Sequence, residues 1–267
     1  HPPPRTDPPI LLARGRRMDD DTWNRRPDAM FETTLAILIA GIIGSLFLYF
    51  GTGVAARLLA DQRAASFRGA GRLALTYDDG PSPRQTDRIL EILAARGASA
   101  TFFVIGRSAE RHAAVIDRIT EAGHEIGWHS RTHRNQWRCG PLTAWRDTTS
   151  IPGTLEPAGS PMGVYRPPYG NLNLASVLGA RSRGLGISTW TLASGDTYPT
   201  IPSVREVVDR VDAEGGGVVL MHDMERDTDD AEARDRFVVD LSVALLDLAR
   251  DRGWQVSPVP ESSRNPS

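Results

Sequence analysis

The sequence predicts an α/β fold built on a parallel sheet, preceded by a membrane-spanning helix. Three observations carry that expectation. From residue 72 onward, apolar strand-like runs alternate with helical stretches, the pattern of parallel strands joined by crossover helices. Ahead of them, Thr33 to Ala56 runs 24 residues without a charge. The residues with chemical potential fall at the C-terminal ends of expected strands, at 78–79, 129 and 222, the face on which β/α barrels carry their active sites.

The elements follow in chain order. The first 30 residues hold six prolines mixed with Arg and Asp and show little apolar periodicity, so residues 1–32 read as a disordered tail. As a helix, the stretch 33–56 would reach about 36 Å. That spans a hydrocarbon core of about 30 Å. The competing reading is a cleaved secretory signal, because Val54-Ala55-Ala56 offers small residues at cleavage positions. The length of the apolar stretch favours an uncleaved anchor. Arg14, Arg16, Arg17, Arg25 and Arg26 precede it and Arg57, Arg63, Arg68 and Arg72 follow, so flanking charge barely orients it. The chain opens with His1, and a start at Met18 or Met30 would change those flanks. A linker is expected over 57–70.

Strands are then expected at 72–77, 100–105, 124–128, 186–192, 217–222 and 254–259. Helices are expected at 84–96, 109–122, 173–183, 204–213 and 235–250. Pro141, Pro152, Pro157 and Pro161 predict a loop-rich insert around 150–163. No internal repeat or coiled-coil heptad is present.

Composition excludes several classes. The formal net charge is −2, so no single-sign field points to nucleic acid. All 31 basic residues are Arg, which reads as codon composition. The single cysteine, Cys139, rules out a thiolate zinc module and an intramolecular disulfide. Nothing indicates a protein partner.

Four segments carry the chemistry. Asp78 and Asp79 end the apolar run Leu73–Tyr77. His129 and His133 are four apart, so on a helical turn or a tight loop both can face one ion. Two imidazoles and one carboxylate leave a coordination position open, as catalytic zinc sites do, and a second carboxylate stays free to act as a base. Arg166-Pro167-Pro168-Tyr169-Gly170 is stiffened by its prolines and can hold an arginine and a tyrosine in place. Val218 to His222 reads as a buried strand that ends in a histidine, either a satisfied core residue or an acid–base group.

In this order, Leu75 to Gly80, His129 to His133, Arg166 to Gly170 and Leu220-Met221-His222 resemble the polysaccharide deacetylase family, also called the NodB-homology domain or carbohydrate esterase family 4. The resemblance covers about residues 70–260. It implies a distorted seven-stranded β/α barrel (NodB-like) over 71–260, with residues 261–267 as a disordered tail. It also implies a metal-dependent hydrolase that removes acetyl groups from polysaccharide, N-acetylated in preference to O-acetylated, such as peptidoglycan or chitin-type N-acetylglucosamine polymers. The cofactor implied is one divalent ion, Zn2+ with Co2+ or another divalent ion as alternatives. By the same resemblance Asp78 is the general base and Asp79, His129 and His133 are the metal ligands. His222 is the general acid and Arg166 the partner of Asp78. The Tyr169 N–H serves the oxyanion, and Pro167 and Leu220 line the substrate site.

One motif departs. The family's Asp-x-x-Asp-Trp falls on Ala193-Ser194-Gly195-Asp196-Thr197, so the residue that tunes the acid is missing at 193 and only Asp196 survives. Either Asp196 reaches His222 or the acid has a weaker partner. In the second case the chain would be a catalytically weak, metal-containing carbohydrate-binding domain. A third reading is a membrane interaction protein whose two histidines are incidental. The acidic run 223–230 reads as a solvated loop. The expected setting is a membrane anchor through 33–56 with the catalytic part extracytoplasmic, or secretion if the segment is cleaved.

Overall fold

The computed structural model describes residues 29–155 and 162–259. Residues 1–28, the centre of the expected insert at 156–161, and residues 260–267 with the expected C-terminal tail lie outside the described residues, while 29–32 of the expected N-terminal tail are helical. The chain divides into two compact units, 1–44 and 45–267.

The first helix, α1 (Ala29–Ala65), is the one described helix long and apolar enough to cross a membrane. Residues 29–44 of it expose nearly all their side chains. Three threonine hydroxyls are satisfied within the helix: Thr33 and Thr34 donate to the carbonyls of Ala29 and Met30, and Thr52 to that of Leu48. Residues 57–65 are not the expected linker. They continue α1, and Ala60, Ala64 and Phe67 are buried.

The second unit is a curled sheet wrapped by helices. Its strands are β1 (Arg72–Asp78), β2 (Thr101–Val104), β3 (Glu125–Trp128), β4 (Val164–Tyr165), β5 (Gly186–Ile187), β6 (Leu192–Ala193), β7 (Gly216–His222) and β8 (Gln255–Val256). Seven lie in the order β5-β4-β3-β2-β1-β7-β6, and β8 pairs with the start of β1. Every pairing is parallel. The helices are α2 (Pro83–Ala95), α3 (Gly106–Arg111), α4 (Ala113–Glu121), α5 (Pro141–Thr149), α6 (Leu174–Ser182), α7 (Val204–Ala213) and α8 (Ala231–Arg252).

Both faces of β1 are covered, as parallel strands require. Leu73, Leu75 and Tyr77 point into the main core among residues of the surrounding helices, such as Ile89, Leu93, Val238 and Leu241. The alternate set, Ala74, Thr76 and Asp78, therefore faces the barrel interior. On β7 the same alternation sends Val219 and Met221 to the core and leaves Val218, Leu220 and His222 inward. Asp78 and His222 are register partners on these adjacent strands. Ala64 and Phe67 pack against Ala74 and Val218 and help fill the interior.

Several expected elements change. The strand expected over 186–192 is two short strands, β5 and β6, at opposite edges of the sheet. Between them Ser188 N–H bonds the Tyr165 carbonyl and Thr191 N–H bonds that of Val218, so the segment crosses from one edge to the other. The helix expected over 109–122 breaks at His112, whose φ of −124° and ψ of 42° are non-helical. The prolines at 141 and 152 bound a helix that was not expected: Pro141 occupies the first turn of α5, where its missing N–H costs nothing. β4, only two residues long, carries too little periodicity to be read from sequence. Helices α6 and α7 begin with capping boxes at Asn173/Ser176 and Ser203/Glu206.

Candidate active site

The strand ends deliver one set of side chains to one cleft of 360 Å³. Asp78 and Asp79 arrive from β1, His129 from the end of β3, Arg166 from the end of β4 and His222 from the end of β7. Positive φ in non-glycine residues occurs at four described positions, Asp79 (72°), Ser130 (70°), His133 (56°) and Tyr169 (58°), and all four belong to these motifs. Such conformations cost about 1–2 kcal/mol per residue and mark sites where the surroundings over-determine the backbone.

Asp79 Oδ1 lies 3.2 Å from His129 Nε2 and 3.0 Å from His133 Nε2. His129 Nδ1 is 2.8 Å from the Arg166 carbonyl. With the proton on Nδ1 as donor, Nε2 presents its lone pair to the cleft, the arrangement metal-binding histidines use. The two rings are held by a loop rather than a helical turn. His133 N–H bonds Ser130 Oγ at 3.0 Å, and Thr132 donates both its N–H and its hydroxyl to Asp147 Oδ1. Buried Asp147 on α5 is thus a support that sequence reasoning missed; no periodic pattern links it to the histidines.

Within this triad, burial works against the charged carboxylate of Asp79, but the two histidines hold its pKa well below the usual range. Burial likewise disfavours a charged His129, yet Asp78 and Asp79 raise its pKa. Asp79 Oδ1 is buried without a hydrogen-bond donor. The three donor atoms lie within 4.8 Å of one another. One carboxylate oxygen and two imidazole nitrogens converging on one point, with a lone pair unclaimed, fit a divalent cation.

Arg166 is completely buried beneath Asp78. Its Nη1 donates to Asp78 Oδ1 at 2.8 Å and to Thr76 Oγ1 at 2.7 Å, and its Nη2 donates to the Thr189 carbonyl at 3.0 Å. The guanidinium lies 4.0 Å from the Phe103 ring centre. Burial lowers the Arg166 pKa, partly offset by Asp78.

On the other side, His222 Nδ1 lies 3.0 Å from Asp196 Oδ1. Burial opposes charging of His222, but Asp196, reinforced by Asp79 and Asp78, pushes its pKa up to about 9. Asp196 also accepts the Ser194 hydroxyl at 2.7 Å and Arg226 Nη2 at 2.7 Å. Its own pKa is raised by burial but lowered further by His222, Ser194 and Arg226. Arg226 continues to Asp235 at 3.2 Å. The run 223–230 is therefore not wholly a solvated loop: the Arg226 side chain is buried in this network and Asp223 is buried beside β1. Burial pushes the Asp223 carboxyl up to about 7, and it accepts the Thr86 hydroxyl at 2.6 Å.

Tyr169, Pro167, Leu220 and Ala193 line the cleft, and Tyr169 packs 4.8 Å from the His133 ring. Trp190 and Tyr198 also line it, and no sequence motif singles out either. Of the residues expected at the site, all ten reach this cleft or its immediate support.

The polysaccharide deacetylase family model matches residues 68–187. A chitooligosaccharide deacetylase of Sinorhizobium fredii is 32% identical over 202 residues, covering 73% of this chain and 93% of that protein. Among solved structures, the Bc1960 peptidoglycan N-acetylglucosamine deacetylase superposes with a TM-score of 0.62 at 25% identity, covering 73% of this chain and 88% of that one. A family 4 carbohydrate esterase from Streptomyces lividans, solved with acetate, gives 0.60 at 25% identity over 71% and 93%.

Proposed function

This chain belongs to the polysaccharide deacetylase family, and from that premise we propose that it hydrolyses the acetamide of N-acetylglucosamine units in peptidoglycan or chitin-type polymers, with one divalent cation, zinc, held by Asp79, His129 and His133. The single observation that carries this reading is the convergence in one cleft of that triad, the Asp78–Arg166 pair and the His222–Asp196 pair.

When bound, the ion would polarise the acetyl carbonyl and acidify the attacking water. Asp78 takes a proton from that water, and the hydroxyl adds to the carbonyl carbon. Arg166 keeps the Asp78 carboxylate aimed at the cleft. The Tyr169 N–H donates to the oxygen on which negative charge builds. His222, charged through Asp196, passes its proton to the amine nitrogen as the C–N bond breaks. Acetate and a free amino sugar leave. Tyr169 and Pro167 supply a wall against which a sugar ring can rest, with Leu220 beneath.

The alternative, a weakly catalytic carbohydrate-binding domain, rests on Ala193. Asp196 stands against His222 Nδ1, the place that alternative needs empty. We place the catalytic unit outside the cell, retained by the apolar segment 33–56 rather than released by cleavage. Support comes from α1 itself, which runs unbroken through the small-residue triplet at 54–56 to Ala65 and buries Gly53, Ala60 and Ala64.

The test is acetate release from N-acetylated chito-oligomers and peptidoglycan, set beside acetylxylan, with metal content measured on the same sample. Acetate from the amide substrates and one equivalent of zinc are expected. Release from acetylxylan alone would reverse the amide preference, and a metal-free active protein would end the metal assignment.

A further inference from the structure

Within the unit 45–267, one face of α1 runs along the loop that bears Tyr169. Tyr49, Gly53 and Arg57 are four apart and so share that face. Tyr49 Oη donates to the Cys139 carbonyl at 3.1 Å. At Gly53 the helix passes so near the chain that a Cβ would collide with the Leu172 carbonyl. Arg57 Nη1 donates to the Gly170 carbonyl at 2.6 Å, and its guanidinium lies 5.1 Å from the Trp190 ring centre. From the other side, Trp137 Nε1 donates to the Leu172 carbonyl at 2.8 Å. Residues 170–172 are thus clamped between α1 and Trp137.

The clamp begins one residue after Tyr169. Tyr169 and Gly170 both take the left-handed conformation, at φ 58° and 68°. For a bulky aromatic that conformation is strained and survives only where neighbours impose it. Inside the turn, Gly170 N–H bonds the Pro167 carbonyl and Asn171 N–H bonds that of Pro168. Those two bonds close one turn; they do not tie it to the barrel. Arg57 ties it to α1 with a charge-assisted bond, beside the Asn171 amide, which donates to Asn135 Oδ1 at 3.2 Å, and it braces Trp190, which is itself a cleft wall. Its other partner, Asp61, is at 3.5 Å on the next turn of the same helix and restrains nothing in the cleft. A side chain at position 170 would strike the Arg57 guanidinium, so the glycine suits this contact as well as the backbone angle.

We propose that Arg57 is a positioning residue of the hydrolytic site: from α1, outside the region matched by the family model, it locks the Tyr169–Gly170 turn so that the Tyr169 N–H stays aimed at the acetyl oxygen. The proposal rests on the deacetylase reading above. It makes the helix after the apolar segment a working part of the site and not a tether.

The experiment uses the full chain in detergent micelles, comparing wild type with Arg57→Ala, Arg57→Gln, Arg57→Lys and, as a control on α1, Arg63→Ala. Acetate release from chito-oligomers, zinc content and amide hydrogen exchange over 168–172 are read together. Arg57→Ala should lower kcat about 10- to 100-fold, the scale of a slight misplacement of a reacting group. KM and zinc content should hold, and exchange should rise in 168–172. Arg57→Lys should recover part of kcat, and Arg63→Ala should match wild type. Unchanged kcat and exchange in Arg57→Ala would overturn the proposal. So would a loss shared by the whole sheet in exchange, which would make Arg57 a general prop; if Arg57→Ala does not fold, Arg57→Gln decides by the same criteria. A wild type that releases no acetate sinks the deacetylase reading and the catalytic role of Arg57 with it, while the exchange data still report whether the clamp exists.

Discussion

Asp78 and His222 are register neighbours on β1 and β7, yet what holds each of them differs in kind. Asp78 is gripped by Arg166, sealed in the barrel interior with 0% of the arginine side chain exposed, while His129 Nε2 stands 3.8 Å from its other oxygen. That guanidinium is itself pinned by a strand hydroxyl and a backbone carbonyl. His222 remains 15% exposed and leans on Asp196, a carboxylate shared with Ser194 and Arg226 and carried on the loop after β6. A sealed pair fixes one geometry. A shared carboxylate sets a proton affinity that each of its partners can tune.

Mutations at the two pairs should therefore behave differently. The largest effect is expected at the sealed pair: Asp78→Asn should cut kcat by about 10³- to 10⁴-fold, the full worth of a general base. Zinc content should stay intact, because Asp78 is not among the three groups that would hold the ion. Loss of zinc along with activity would show that the base and the metal site are not separable. Next comes Asp196→Asn, expected to cost about 100-fold in kcat. With the carboxylate neutralised, the alkaline limb of the rate profile should fall from near 9 toward about 6.5, the unperturbed histidine value. The same raised pKa has a stability consequence. A charged His222 stabilises the fold below its unfolded pKa, and that contribution is lost as pH rises through about 9. Thermal melts at pH 6 and 9.5 should show this loss in wild type and not in Asp196→Asn.

A smaller change is expected for Arg226→Gln. Removing a cation from Asp196 leaves more of that carboxylate for His222, so the alkaline limb should move up while kcat at neutral pH falls only a few-fold, about 1 kcal/mol or less of barrier. A downward move would mean that Arg226 acts by placing Asp196 and not by sharing its charge. Smallest is Ala193→Asp, which restores a carboxylate where the family motif carries one. It should raise the alkaline limb slightly and leave the metal content alone. A large gain in rate would mean that Asp196 is an incomplete substitute.

Much of this arrangement is legible in the sequence. The apolar run Leu73 to Tyr77 announces a strand, and the Asp78-Asp79 doublet at its end announces chemistry. The motif resemblance points to the same cleft residues that the fold gathers, because motif residues sit on or just after strand ends, where local register already fixes direction. The alternatives at Asp196 cannot be resolved that way. Position 196 follows Gly195, which has a φ of 85° and reverses the chain, and no periodicity foretells where a carboxylate points after such a turn. Asp147 and Arg226 escape sequence reasoning for a like reason: each reaches the site from an element that its own neighbourhood describes only as surface helix or acidic loop.

By itself, the sequence determined the strand-and-helix alternation, the uncharged stretch at 33–56 and the kinds of group available to a metal site. Those properties live in local spacing, where side-chain direction follows from backbone period. Tertiary structure alone decided that α1 continues to Ala65 and braces Gly170, that residues 186–193 split across the open edges of the sheet, and that Asp196 meets His222. Each of these is a meeting of segments far apart in the chain, and such meetings are set by packing and by which buried polar groups find partners, neither of which is written in any short window.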